Sequence, residues 1–162
     1  MAENSTENLT EDLAEVAELI RSGIEGMPYN QLVGVRITSM GGGRATGALA
    51  ARPEIANHAG SVHASAQFAL VEAVGGAAVS SAFVDLLGGA IPLAQGVELS
   101  YLRPATGDLA ARAELTLEVA ARVRDSLELD GHARFWVPVT ITDPSGETTL
   151  EAQMRWLLRR SS

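Results

Sequence analysis

Between Glu54 and Asp85 a single residue, Glu72, carries a formal charge. The stretch around it, from His63 to Val84, is rich in Ala and holds Phe68, Leu70, Val71, Val74 and Val79. It is too long for one strand and reads as a helix that is apolar on every side. Such a helix must be buried almost all round, which few architectures allow. It is long enough to span a bilayer, but Gln67, Glu72, His63 and several Ser argue for a protein interior. A solitary carboxylate there is expensive to desolvate unless it is paired or used, which makes Glu72 a candidate for chemistry. Gly75 and Gly76 interrupt the pattern. Each weakens a helix by about 1 kcal/mol relative to Ala, so either something packs very close there or the helix changes direction.

What surrounds that helix in sequence has a period of two. Val33, Val35 and Ile37 alternate with Gly34, Arg36 and Thr38, and Gly41-Gly42-Gly43 joins them to a second alternating segment, Arg44 to Ala51. This reads as a strand pair; the triple Gly lacks the Lys and following Ser or Thr of a phosphate-binding loop. Later come Val97, Leu99 and Tyr101, then Leu109 through Val119, then Ala133 through Ile141, then Leu150 through Leu158. Asp143-Pro144-Ser145-Gly146 is a strong turn between the last two. The pattern predicts an α+β domain over residues 27–160, with an antiparallel sheet of about six strands curled around one long buried helix. Sheet edges left over by that arrangement predict a homodimer built on strand pairing or helix contacts.

Charge is unevenly placed. The chain has a net charge of −8, but Glu3, Glu7, Glu11, Asp12, Glu15, Glu18 and Glu25 face only Arg21 in the first 25 residues, leaving the rest nearly neutral. Residues 1–26 therefore read as an acidic extension holding an amphipathic helix, capped by Thr10, with Leu13, Val16, Ala17 and Ile20 on its apolar side and Gly23 at its end. All twelve basic residues are Arg and form no stripe, which argues against nucleic acid as a partner. The polar, acidic start lacks the pattern of a secretory signal. A chain without Cys has no disulfide or thiolate chemistry and is compatible with a reducing cytoplasm. Only three His are present, and His58 and His63 lack nearby ligand partners, so no metal is expected.

The run from Asn57 through His58, Gly60, His63, Ala64, Ser65 and Phe68 to Glu72 resembles the signature of hotdog-fold acyl-CoA thioesterases of the phenylacetate-pathway type. In that signature an Asn precedes a Gly, His-Gly-Gly opens the central helix, and an acidic residue follows the His by nine positions. Here Glu72 follows His63 by nine. The resemblance extends to Tyr101-Leu102-Arg103-Pro104-Ala105 and Gly107-Asp108-Leu109, and covers roughly residues 30 to 158.

The resemblance implies hydrolysis of an acyl-CoA thioester, without a cofactor, in a homodimer or a dimer of dimers whose substrate lies at the subunit interface. Glu72 would be general base or nucleophile, Asn57 would orient the water or the carboxylate, and the first-turn N–H groups around His63 and Ala64 would hold the oxyanion. His58, Gly60, Ser65 and Phe68 would line the substrate site. One departure is that Ala64-Ser65 replaces the usual Gly-Gly. That substitution favours an alternative reading, a non-catalytic acyl-thioester binder. A further alternative is a hydroxyacyl-thioester dehydratase or hydratase that pairs His58 with Glu72, although the Phe-Pro-Gly and later Pro-Gly of those enzymes are missing.

Overall fold

The computed structural model describes residues 15–161. A helix over residues 15–26 (α1) leads into α2 (Pro28–Val33), the hairpin β1 (Val35–Gly41) and β2 (Arg44–Leu49), and the long α3 (Ala64–Ala82). Then follow β3 (Ala90–Tyr101), β4 (Leu109–Glu114), α4 (Leu117–Asp130), β5 (His132–Thr142) and β6 (Thr148–Arg160). The strands form one antiparallel sheet in the order β1-β2-β4-β5-β6-β3. Its inner face closes around α3, which touches all six strands. This is the hotdog arrangement, and the predicted strand count and central helix are both present.

The core follows from alternation. Leu109, Ala111 and Ala113 of β4, every second residue from Ala133 to Ile141 of β5, and every second residue from Leu150 to Leu158 of β6 point inward and are buried. Close approach of helix and sheet explains Gly47 in the middle of β2. A Cβ built there would lie 2.5 Å from Val74 Cγ2 and 2.8 Å from the Arg36 carbonyl oxygen. Gly47→Ala is therefore expected to destabilise the fold by about 1–3 kcal/mol, the range for overpacking a filled core, and a urea titration with unchanged slope would register it.

Two boundaries differ from expectation. Val33 ends α2 rather than starting a strand, because Gly34 caps that helix at φ 88°, a left-handed conformation. The α1 helix runs through Gly23 to residue 26; the predicted Thr10 cap and Leu13 lie outside the described residues. Helix α1 is also tied down: Ile20 and Ile24 meet the core, and the Glu25 carboxylate accepts hydrogen bonds from the Ile37 amide (2.8 Å) and the Arg36 guanidinium (2.9 Å).

The largest difference is α4. Alternation predicted a strand continuing through Leu117 and Val119, yet β4 stops at Glu114. The Thr116 hydroxyl accepts from the Val119 amide as an N-cap, and Gly131 at φ 72° terminates the helix, so cap chemistry outweighs a short stretch of period two. Val123 and Leu127 bury one face of α4. Arg124 fastens it to the end of α3, donating to both Asp85 carboxylate oxygens (2.7 and 2.8 Å) and to the Ala82 carbonyl (2.9 Å), with its guanidinium 5.4 Å from the Phe83 ring centre. That double contact holds the Asp85 carboxyl below its usual range. Because the chain departs for α4, β4 meets β5 only from Ala110 opposite Thr142 to Ala113 opposite Val139.

Candidate active site

Helix α3 is not closed on every side. Thirteen of its nineteen residues are buried, but Ala64, Ser65 and Glu72 are exposed, and Phe68 and Gly76 are half-buried. Positions 65, 68, 72 and 76 recur at helical spacing, so they form one narrow open stripe along the helix. The expectation of a helix without a polar face is thereby corrected. Glu72 in the single chain is exposed, and among the described residues it has neither an ion pair nor a hydrogen bond.

The segment before the helix is built around two side chains. Asn57 Oδ1 accepts from the amides of Ala59 (2.9 Å) and Ser61 (3.1 Å), and its Nδ2 donates to Ser61 Oγ (2.9 Å). Gly60, at φ 79°, supplies the left-handed residue this turn needs and donates its amide to the Asn57 carbonyl at 3.0 Å. The Asn57 side chain is thus engaged entirely within its own turn, where it sets the path of the loop. His58 is exposed on that turn.

His63 is the N-cap of α3. Its Nδ1 accepts from the Ser65 amide at 3.1 Å and lies 2.8 Å from Ser65 Oγ, while its own amide donates to the Ile55 carbonyl at 2.7 Å. The next two amides, of Ala66 and Gln67, already donate to the His63 carbonyl (3.0 and 3.1 Å). At the start of the helix this leaves the Ala64 amide as the N–H without a protein partner among the described residues. It is exposed and sits at the positive end of the helix dipole. Ser65 in place of Gly thus has a local role, because both its amide and its hydroxyl complete the cap.

Sequence reasoning did not single out two further residues. Tyr101, at the end of β3, donates its hydroxyl to the Ala64 carbonyl at 3.0 Å and so pins the first turn of α3 to the sheet edge. Partial desolvation where the hydroxyl meets the helix pushes the Tyr101 pKa up. Trp156 of β6 lies under the open stripe, 6% exposed. Gly76 was its signal: α3 runs unbroken through Gly75 and Gly76, and the close packing that Gly76 permits is with this ring.

Beside the stripe lies a cleft of about 340 Å³. Its lining includes Glu72, Gly76 and Ser80 of α3, Leu93 of β3, Trp156 of β6 and Ile24 of α1. Among the described residues Glu72 is the sole charged group in its lining. The cleft borders β3, whose outer edge pairs with no strand among the described residues and which carries exposed Ile91, Leu93 and Tyr101. Arg103 and Arg134 are engaged at the surface with Glu147 (2.6 Å) and Gln95 (3.2 Å). No helix among the described residues is long and apolar enough to cross a membrane.

Comparison with known proteins agrees with this architecture. A protein of unknown function from Pseudomonas aeruginosa, described as a probable thioesterase, is 28% identical, with a TM-score of 0.80 over 89% of this chain and 95% of that one. A hypothetical thioesterase from Streptococcus pneumoniae, solved with coenzyme A, is 18% identical, with a TM-score of 0.60 over 78% of this chain and 88% of that one. A protein of unknown function from Chlorobaculum tepidum is 16% identical, with a TM-score of 0.77 over 91% and 96% of the two chains. A search of curated proteins finds no match. The resemblance noted in the sequence, to hotdog-fold thioesterases, is therefore also a resemblance of structure. Residues 18–158 match the model of a domain of unknown function, DUF4442, and the chain belongs to that family.

Proposed function

We propose that the protein hydrolyses an acyl-CoA thioester, with the helix start of one protomer and Glu72 of its partner acting on the same carbonyl. The observation that carries this reading is the pairing, on one exposed stripe of α3, of an unpartnered Ala64 amide with an unpaired carboxylate that opens onto an apolar cleft. The Pseudomonas and Streptococcus proteins, described as thioesterases, support the reaction class, and the coenzyme A bound to the latter supports the thiol portion of the substrate.

Spacing argues for a shared site. Ala64 and Glu72 are eight residues apart on one straight helix, about 12 Å of rise. An oxyanion donor and a base must both lie within roughly 3 Å of atoms at one reacting centre, so the pair on a single chain is too far apart. A second copy resolves this. Two β3 edges pairing about a two-fold axis would cover the exposed Ile91 and Leu93 and set the two α3 helices side by side. The homodimer is then the smallest complete catalytic unit, and a dimer of dimers would repeat it.

In the reaction, water adds to the thioester carbonyl carbon while Glu72 takes its proton. The Ala64 N–H and the helix dipole hold the negative charge that develops on the carbonyl oxygen. Collapse of the tetrahedral species breaks the carbon–sulfur bond, releasing the acid and CoA thiol, which recovers the proton. Direct attack by the Glu72 carboxylate, followed by hydrolysis of the anhydride, uses the same groups. Asn57 and His63 act by position: one shapes the loop and the other fixes the helix start, leaving the Ala64 amide free.

The test is thiol release from a panel of short, medium, long and aromatic acyl-CoA thioesters. Turnover of at least one class is expected. Saturable binding across the panel without thiol release would replace hydrolysis by the binding-module reading.

A further inference from the structure

The Ala64 amide is useful as a donor only if it is aimed, and its direction is set by two linked peptide groups. The first, between His63 and Ala64, is held at its oxygen. The His63 carbonyl accepts from the amides of Ala66 (3.0 Å) and Gln67 (3.1 Å), while the N–H of the same peptide group is the donor without a partner among the described residues. The second, between Ala64 and Ser65, is held by side chains at both ends. Its N–H donates to His63 Nδ1 at 3.1 Å, and its carbonyl oxygen accepts from the Tyr101 hydroxyl at 3.0 Å. A backbone amide can only donate, so His63 Nδ1 is the acceptor and the neutral ring carries its proton on Nε2. The Tyr101 hydroxyl, the peptide group and the imidazole thus form one chain of hydrogen bonds whose donors all point the same way, an arrangement in which each bond strengthens the next.

The base of this chain is rigid. Tyr101 closes β3 opposite Leu150 of β6, and the following amide, of Leu102, donates to the carbonyl of buried Thr149 at 2.8 Å. The Ala105 carbonyl accepts from the Val62 amide at 2.8 Å, which ties the chain after β3 to the chain before α3. The phenol therefore carries the geometry of the sheet to the first turn of a helix 37 residues earlier in sequence. Tyr101 is 47% exposed. Water would satisfy the Ala64 carbonyl if the hydroxyl were removed, so the bond adds little stability; what water does not supply is a fixed direction.

We propose that Tyr101 is a positioning residue: with His63 it clamps the Ala64–Ser65 peptide group and so aims the neighbouring Ala64 N–H at the carbonyl oxygen of the substrate. The assignment rests on the thioester reading and adds to it a group on the edge strand that does not touch the substrate. Without the hydroxyl, the side-chain grip on the peptide group is at one end only, and the group rocks about the backbone bonds of Ala64. A donor that spends less time in line loses rate rather than affinity, because the charge it stabilises develops in the transition state.

Tyr101→Phe keeps the ring and removes the hydroxyl. Its kcat is expected to fall about 3- to 10-fold, the worth of one hydrogen bond, with KM within about twofold of wild type and a melting temperature lower by no more than about 3 °C. In the Ala64→Pro background, which lacks the N–H, the same change should cost no further rate, since both substitutions act through one donor. The clamp can also be read without turnover. Exchange of the Ser65 amide with solvent, followed by NMR on ¹⁵N-labelled protein, should accelerate about 3- to 10-fold in Tyr101→Phe. An unchanged kcat, with or without a raised KM, would overturn the assignment, as would an unchanged Ser65 exchange rate. A full further loss of rate in the Ala64→Pro background would make the hydroxyl independent of the donor and overturn it equally. Faster Ser65 exchange in a protein that releases no thiol would support the clamp and remove the hydrolase reading alone.

Discussion

Glu72→Gln is expected to lower thiol release from the preferred acyl-CoA by about a hundredfold or more, in the range lost when a positioned general base is removed. The substitution keeps the shape of the side chain and removes its charge. Glu72 has no ion pair or hydrogen bond among the described residues and is exposed in the single chain, so its loss should leave the protomer's melting temperature within about a degree or two. A parallel loss of stability and activity would instead mark Glu72 as a structural carboxylate. Activity indifferent to the change would end the mechanism proposed here. The separation of rate from stability is what gives the experiment its force.

Ala64→Pro should be nearly as damaging by a different route. Position 64 is the first residue of α3, where proline is favoured because its fixed φ suits the helix and its missing N–H has no intrahelical role. His63 before it is already extended, at φ −61° and ψ 143°, as a residue preceding proline should be. The variant therefore deletes one hydrogen-bond donor with little other consequence, and kcat is expected to fall about 10²- to 10³-fold, as for the loss of an oxyanion donor.

Combining the two variants tests the shared site. Protomers carrying Ala64→Pro are unfolded and refolded together with protomers carrying Glu72→Gln, each inactive alone. If donor and base come from different chains, half of the randomly paired dimers hold one intact site of two, so about a quarter of wild-type activity should return. If both groups of a site came from one chain, no mixture would recover activity.

Particular residues explain how much of this could be read from sequence. The β1–β2 hairpin, the central helix and the Asp143–Gly146 turn were legible because each rests on a local signal: a glycine run, an uncharged stretch, an Asx turn closed by Asp143 Oδ1 on the amides of Ser145 and Glu147. Helix α4 was missed because Leu115, Leu117 and Val119 fit period two as well as the first turn of a helix, and only the Thr116 cap with Val123 and Leu127 beyond it separates the two. Helix α2, six residues long, is too short to show any period. The position of Glu72 was legible, but its exposure was not. An apolar helix face is the same in sequence whether its own sheet or a second chain covers it. The Ala64 amide could be named from the helix start, yet its isolation depends on His63 Nδ1 taking the neighbouring Ser65 amide, a side-chain geometry that spacing alone does not encode.

The narrow join between β4 and β5 makes the sheet two leaves rather than one plate. β1, β2 and β4 form the first, and β5, β6 and β3 the second, with the latter zipped from Ala90 opposite Arg160 to Tyr101 opposite Leu150. Helix α3 is the rivet between them. Leu93, Trp156 and Tyr101 all ride on the second leaf, whereas the first leaf reaches the cleft through α1, whose Glu25 holds β1 and whose Ile24 lines the cleft. The cleft thus lies where the two leaves meet, and a change in their spacing alters its width.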